Sequence, residues 1–204
     1  AEGVHECGDP GLQFETTINR WHVAKNLAPI NSSNPCSEYM YIDDTSCNLA
    51  SFNLMRFRRD DGSFDVANYE RGIEVMVPAM DLNYEFSSFP TQRIAQNSFD
   101  NRTLGVGYSN LGALVMAEGL PYDSDEARAV AAVITSLTAA KVYEVSTVLA
   151  EKLGTFKTYE ANKDPMLEVM QMHRRAHVDN IDLSKLPKKF LPVYERALKL
   201  WDTV

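Results

Sequence analysis

Cysteine is scarce in this chain, with three in 204 residues, at positions 7, 36 and 47. Three thiols cannot all pair internally, which argues against a secreted disulfide framework and for a reducing, cytoplasmic compartment. No Cys-x-x-Cys knuckle is present, so a structural zinc site is not expected and no metal is assigned. Positive charge is also in deficit: 20 Lys and Arg stand against 28 Asp and Glu, for a formal net charge of -8 and a pI of about 5.0. Such a surface repels a phosphate backbone, and the basic runs Arg56–Arg59 and His173–His177 are short, so nucleic acid is not an expected partner. No apolar run approaches the ~20 residues that cross a bilayer, and the opening AEGVHECGDPG lacks the basic start and apolar stretch of an export signal. No membrane is expected. Internal repeats and low-complexity linkers are missing as well, so nothing divides residues 1–204 into domains.

What remains is ordinary globular composition, 45% hydrophobic and 24% charged. After the turn-forming GDPG of Gly8–Gly11, the β-prone, alternating stretch Leu12–Val23 predicts a strand. Lys25–Pro35 has the Asn, Ser and Pro content of a loop. Cys47–Phe57 alternates again and predicts a second, largely buried strand, closed by a turn at Asp60-Asp61-Gly62. From Asp65 to about Tyr84 apolar residues recur at three and four, the spacing of a helix face, with a kink expected at Pro78. RTLGVGYSNLGALVMAEGLP reads as a short buried strand, a glycine-bearing turn and a helix from about Ser109 to Gly119. Asp123, with Glu126 three positions on, predicts the cap of a long helix ending at Gly154. Further helices are expected around Asp164–Val178 and Pro192–Trp201. The chain starts at Ala1 without methionine and stops directly after an amphipathic pattern, and it reads as a piece of something longer.

The chemistry concentrates in NSSNPCSEYMYIDDTSCNLAS, Asn31–Ser51. If the backbone is extended there, as Pro35 favours, Asn34, Cys36 and Glu38 point to one side and bring an amide, a thiol and a carboxylate into one volume. That combination offers a hydrogen-bonding clamp, a reactive sulfur and a general base. A plainer reading stands beside it: free cysteines are commonly buried small hydrophobes, and Asn-Pro is a common turn dipeptide.

These residues carry a resemblance. NPCSEYMYIDDTSCNLASFNLMRF resembles the active-site stretch of ribonucleotide reductases, in particular the dimeric adenosylcobalamin-dependent (class II) type. GDPGLQFETTINRWH, RTLGVGYSNLGALVM, LPYDSDEARA and PMLEVMQMHRRA are similar to the same family in the same order, so the likeness covers nearly the whole chain. It implies an α/β fold: residues 1–204 would be a central, incomplete segment of the family's ten-stranded α/β barrel, with Cys36 on the loop projecting into its centre. By the same resemblance Cys36 becomes a thiyl radical that takes the 3' hydrogen of a ribonucleotide, Glu38 accepts the 3' hydroxyl proton, and Asn34 binds the substrate. Cys47 is one of two thiols that supply electrons as the 2' hydroxyl leaves as water. Asn34, Cys36 and Glu38 together form the substrate-binding set.

The family further implies an oxidoreductase of the ribonucleoside-diphosphate reductase type, with adenosylcobalamin as radical source, bound mainly outside this chain. A homodimer is expected when the chain is complete, reduced by a thioredoxin-like partner. The partner of Cys47 lies upstream in the family and is not Cys7, which reads as structural. Without it and the remaining segments, the 204 residues alone are not expected to turn over. A class I large-subunit segment with a separate radical-generating subunit, and a non-catalytic module that keeps the fold, stay open. Elsewhere, His173 and His177 have metal-ligand spacing, but Arg174 replaces the glutamate of His-Glu-x-x-His and a solvated basic face is expected. Gly105-Val106-Gly107 lacks the third glycine of a phosphate loop and reads as close packing of strand and helix. Trp21-His22 reads as a half-buried aromatic beside a surface imidazole.

Overall fold

The apolar spacing that marks helices in the sequence puts them where expected over the second half of the chain. The computed structural model describes all residues, 1–204. Its helices are α1 (Glu2–Cys7), α2 (Glu15–Arg20), α3 (Val66–Asn83), α4 (Gln92–Asn101), α5 (Leu111–Ala117), α6 (Asp125–Leu153), α7 (Tyr159–Asn180) and α8 (Leu191–Trp201). Two strands, β1 (Asn48–Asn53) and β2 (Leu104–Ser109), pair in parallel with Asn48 opposite Leu104 and Asn53 opposite Ser109. Parallel neighbours need a long crossover, and α3 and α4 supply it. The fold is therefore α/β.

Short polar side chains start the helices. Asp65 accepts the Asn68 N–H to open α3, Thr91 accepts that of Ile94 to open α4, and Ser124 accepts that of Ala127 to open α6. The expected cap Asp123 is displaced by one residue: its carboxylate instead meets Arg128 at 2.8 Å. Gly154, with φ 87°, closes α6 in a conformation that L side chains rarely adopt. α3 runs through Pro78 without interruption. Helix α4 was not among the sequence expectations: its apolar residues are only Ile94, Ala95 and Phe99, and its buried positions, Ser98 and Asn101, are polar.

The Leu12–Val23 strand is overturned. Phe14 is extended, but Glu15–Arg20 is helical and Trp21 follows as a turn. The deciding contacts lie eleven residues on: the Asn19 amide accepts the Ile30 N–H at 2.9 Å and donates to the Ile30 carbonyl at 3.1 Å. Local β propensity of Thr16, Thr17 and Ile18 yields to that clamp. The second expected strand is right at its start, ends early because Leu54–Phe57 winds into a 3-10 turn, and is not largely buried: within β1 only Phe52 is, while Leu49 and Ser51 are exposed.

One continuous hydrophobic cluster sits between β1, α3, α6, α7 and α8. Phe52, Phe57, Phe64 and Tyr69 form an aromatic knot with Phe57 and Tyr69 centroids 4.9 Å apart, and the buried Tyr69 hydroxyl is satisfied by Thr138 at 2.7 Å. α6 has the length and hydropathy to cross a membrane, yet half of that window is buried within the fold. It is the core helix. Its buried Lys141 is held by Glu74 at 2.8 Å and Glu144 at 2.6 Å, while Arg196 of α8 grips Glu70 of α3 through two bonds of 2.6 and 2.8 Å.

Candidate active site

Asn34–Ser37 is a tight turn, not an extended segment: the Ser37 N–H donates to the Asn34 carbonyl at 3.0 Å, and Ser37 has φ 66°. The expectation that Asn34, Cys36 and Glu38 share one side because the chain is stretched is thus corrected. Proline at the second position of the turn has its φ already set for this geometry, so Pro35 bends the segment where it was expected to straighten it. Cys36 comes out at the tip of the turn, exposed, rather than packed as a small hydrophobe.

The turn is fastened from three sides. The Asn34 Oδ1 accepts the Tyr39 backbone N–H at 3.0 Å, Gln13 Nε2 donates to the Ser37 hydroxyl at 2.7 Å, and Asn31 Nδ2 donates to Asp43 at 2.8 Å. With its oxygen committed, the Asn34 amide keeps its N–H groups for another acceptor. Glu38 is exposed and opens on a cleft of about 830 Å³, bounded also by Tyr39, Asp81, Arg102, Tyr143 and His173. Neither Cys36 nor Cys47 lines that cleft.

Cys47 immediately precedes β1 and is half-buried. Burial, and secondarily the Glu38 carboxylate, push its thiol up to about 11, so it holds its proton at neutral pH. Glu38 and Cys47 are therefore within electrostatic reach of one another. Room for the sulfur comes from Gly105 in β2, where an added Cβ would fall 2.6 Å from Cys47 Sγ and also strike Leu49. The close packing read from Gly105-Val106-Gly107 is real, but the neighbour is strand β1, not a helix. All three cysteines are free thiols; Cys7 is exposed at the end of α1.

The histidine expectations are corrected. His177 is buried, its ring lies 4.2 Å from that of Tyr194, and its Nδ1 is hydrogen-bonded with the Ser136 hydroxyl at 2.8 Å, which accepts from Trp201 Nε1. His173 stacks on Trp201 at 5.8 Å. Neither belongs to a solvated basic face, and no group of three or more His, Cys, Asp or Glu side chains could hold a metal ion. His22 is the buried partner of its pair, with Nε2 donating to the Ala28 carbonyl at 2.9 Å, and Trp21 the more exposed one.

Against known proteins, the family model described as ribonucleotide reductase, barrel domain, matches residues 1–202. The chain belongs to the ribonucleotide reductase family. Among relatives named vitamin B12-dependent ribonucleotide reductase, that of Rhodopirellula baltica is 48% identical over 204 residues, covering 100% of this chain and 19% of the relative. That of Streptomyces coelicolor is 44% identical over 208 residues, covering 100% and 21%. A vitamin B12-dependent ribonucleoside-diphosphate reductase of Mycobacterium tuberculosis is 34% identical over 158 residues, covering 78% and 23%. The chain thus spans about a fifth of the length of these reductases.

Reading the sequence for reactive groups missed the reductase residues that hold the site together: Tyr39, Thr45, Thr103 and Gln13. Tyr39 follows Glu38 directly, but nothing in the local pattern announces a partner at Thr103.

Proposed function

We propose that this chain is the central segment of an adenosylcobalamin-dependent ribonucleotide reductase, whose Cys36 takes the 3' hydrogen of a bound ribonucleotide. The observation that carries the reading is Cys36, exposed at the tip of a fastened turn, with Asn34 and Glu38 two positions to either side, in a chain matched over its full length by vitamin B12-dependent relatives.

In this reading the Asn34 N–H groups donate to ribose oxygens while its carbonyl oxygen stays on the Tyr39 backbone. The Cys36 thiyl radical removes the 3' hydrogen, forming S–H and leaving a carbon radical, and Glu38 takes the 3' hydroxyl proton. Cys47 and a second thiol from elsewhere in the reductase deliver two electrons and two protons as water leaves, after which Cys36 returns its hydrogen to C3' and becomes a thiyl radical again, and Glu38 returns its proton to the 3' oxygen. The balance is ribonucleotide plus two thiols to 2'-deoxyribonucleotide, water and one disulfide, which a thioredoxin-like dithiol then reduces by exchange. A thiol raised to about 11 suits Cys47 for this, because it is the protonated form that supplies the proton to the departing hydroxyl. Adenosylcobalamin, when bound, would supply the initiating radical. In this reading the cofactor is held mainly by parts of the reductase outside this chain.

A homodimeric, cytoplasmic complete enzyme fits the three free thiols and the family. The class I alternative is less favoured, since the relatives above carry vitamin B12 in their names. A non-catalytic module is less favoured too, because Asn34, Cys36, Glu38 and Cys47 are all in place. In the complete reductase, Cys36→Ser is expected to abolish 3' hydrogen exchange and leave nucleotide binding nearly unchanged. Exchange at the wild-type rate would overturn the assignment.

A further inference from the structure

Tyr39 touches both halves of the proposed site. Its backbone N–H donates to Asn34 Oδ1 and so braces the turn that presents Cys36. Its hydroxyl lies 2.7 Å from Thr45 Oγ1 and 2.9 Å from Thr103 Oγ1. Thr103 in turn brackets Cys47: its hydroxyl donates to the Ser46 carbonyl at 2.5 Å, and its own carbonyl faces the Asn48 N–H at 3.5 Å. We infer that Tyr39 is a positioning residue of the reductase, setting the Cys36 turn and Glu38 in fixed register with Cys47. This rests on the reading of Cys36 and Cys47 given above.

The proton count explains why the hydroxyl matters. Thr45 spends its proton on the Ile42 carbonyl at 2.7 Å and accepts the Tyr39 proton. The Thr103 proton is shared between the Ser46 carbonyl and the Tyr39 oxygen, so the phenol donates to one threonine, accepts from the other, and bridges the 42–46 turn and the entry to β2. Removing the phenol oxygen therefore severs the bridge and leaves the flanking bonds made. The Asn34 contact survives as well, because it uses the Tyr39 backbone. Reacting groups held by such a bridge lose rate when it slackens, since displacement by 1 Å can cost on the order of a hundredfold.

The test uses the complete reductase that contains this chain, with ribonucleotide, adenosylcobalamin and a dithiol reductant. Tyr39→Phe is expected to lower kcat for deoxynucleotide formation about tenfold, with KM changed less than about twofold. Exchange of the 3' hydrogen, which needs Cys36 but not Cys47, should fall less than product formation. Thr103→Val should reproduce the split, Thr103→Ser should restore it, and the Tyr39→Phe, Thr103→Val pair should be no slower than the worse single variant. If Tyr39→Phe does not fold, Thr45→Val against Thr45→Ser makes the comparison at the other hydroxyl that Tyr39 meets, whose own bond goes to Ile42 and not to a neighbour of Cys47. Wild-type kcat in Tyr39→Phe, equal rates for Thr103→Val and Thr103→Ser, or additive losses in the pair would overturn the positioning role. None of these outcomes touches Cys36; the earlier reading fails only if Cys36→Ser still exchanges the 3' hydrogen.

Discussion

Cys47 keeps its proton because it is half-buried and because the Glu38 carboxylate disfavours a second negative charge nearby. Burial is the larger cause and Glu38 the smaller. Glu38→Gln should therefore lower the Cys47 pKa while leaving it above that of an ordinary thiol. Alkylation of Cys47 by iodoacetamide at pH 9 should quicken by a few-fold, below the roughly tenfold that a full pKa unit represents. Peptide mapping separates it from the exposed Cys36, and an unchanged or slower Cys47 rate would remove the proposed coupling. At this scale the residue types Asn34, Cys36, Glu38 and Cys47 were legible in the sequence. The hydroxyls that hold them were not, because serine and threonine are common everywhere and only their partners distinguish them.

Strand β2 makes room for β1 by omitting a side chain at one position. A Cβ on Gly105 would meet Cys47 Sγ and Leu49, whereas one on Gly107 would meet only Ser51 Oγ, at 3.4 Å. Gly105→Ala is expected to cost about 1–3 kcal/mol, the usual range for overpacking, and to shift the position of Cys47. Gly107→Ala should lie within about 0.5 kcal/mol of wild type, as surface-like changes do. Urea unfolding of the two variants checks this, and equal midpoints would count against Gly105 as the packing constraint. The elements legible beforehand were the long ones whose apolar residues recur over several turns, α3, α6, α7 and α8. Of those missed or reversed, α1 buries no residue, and α2 and α4 are held by polar contacts such as Asn19 with Ile30 and Asn101 with Tyr41 and Thr158.

Across the whole molecule, His22, His173 and His177 share one response to acid. Burial depresses each below the ordinary value of 6.5, and desolvation is the leading cause in all three. The unfolded chain therefore takes up protons first as pH falls, so stability is present above 6.5 and is lost from there down toward the depressed folded values. The depressed carboxylates Asp65 and Glu74 act in a separate window, below their ordinary values of 3.8 and 4.5. Thermal melting at pH 7.5 and pH 5 should thus give the lower midpoint at pH 5; an equal or higher one would contradict the burial of these rings. β1 and β2 form a sheet of two strands, consistent with a segment spanning about a fifth of its relatives' length.

By itself the sequence determined the chemistry on offer and the long helices. An amide, a thiol and a carboxylate at alternate positions are visible one after another, and a buried helix face repeats within a few residues. Tertiary structure decided the sense of residues 12–23, the bend at Pro35, the burial of His22 and His177, and the partner of Tyr39. Those outcomes depend on contacts such as Asn19 with Ile30, 11 residues apart, and Tyr39 with Thr103, 64 apart. Local pattern reports which face is apolar; it carries no information about which distant hydroxyl or carbonyl will satisfy a buried polar group, and that choice is made only when the chain has packed.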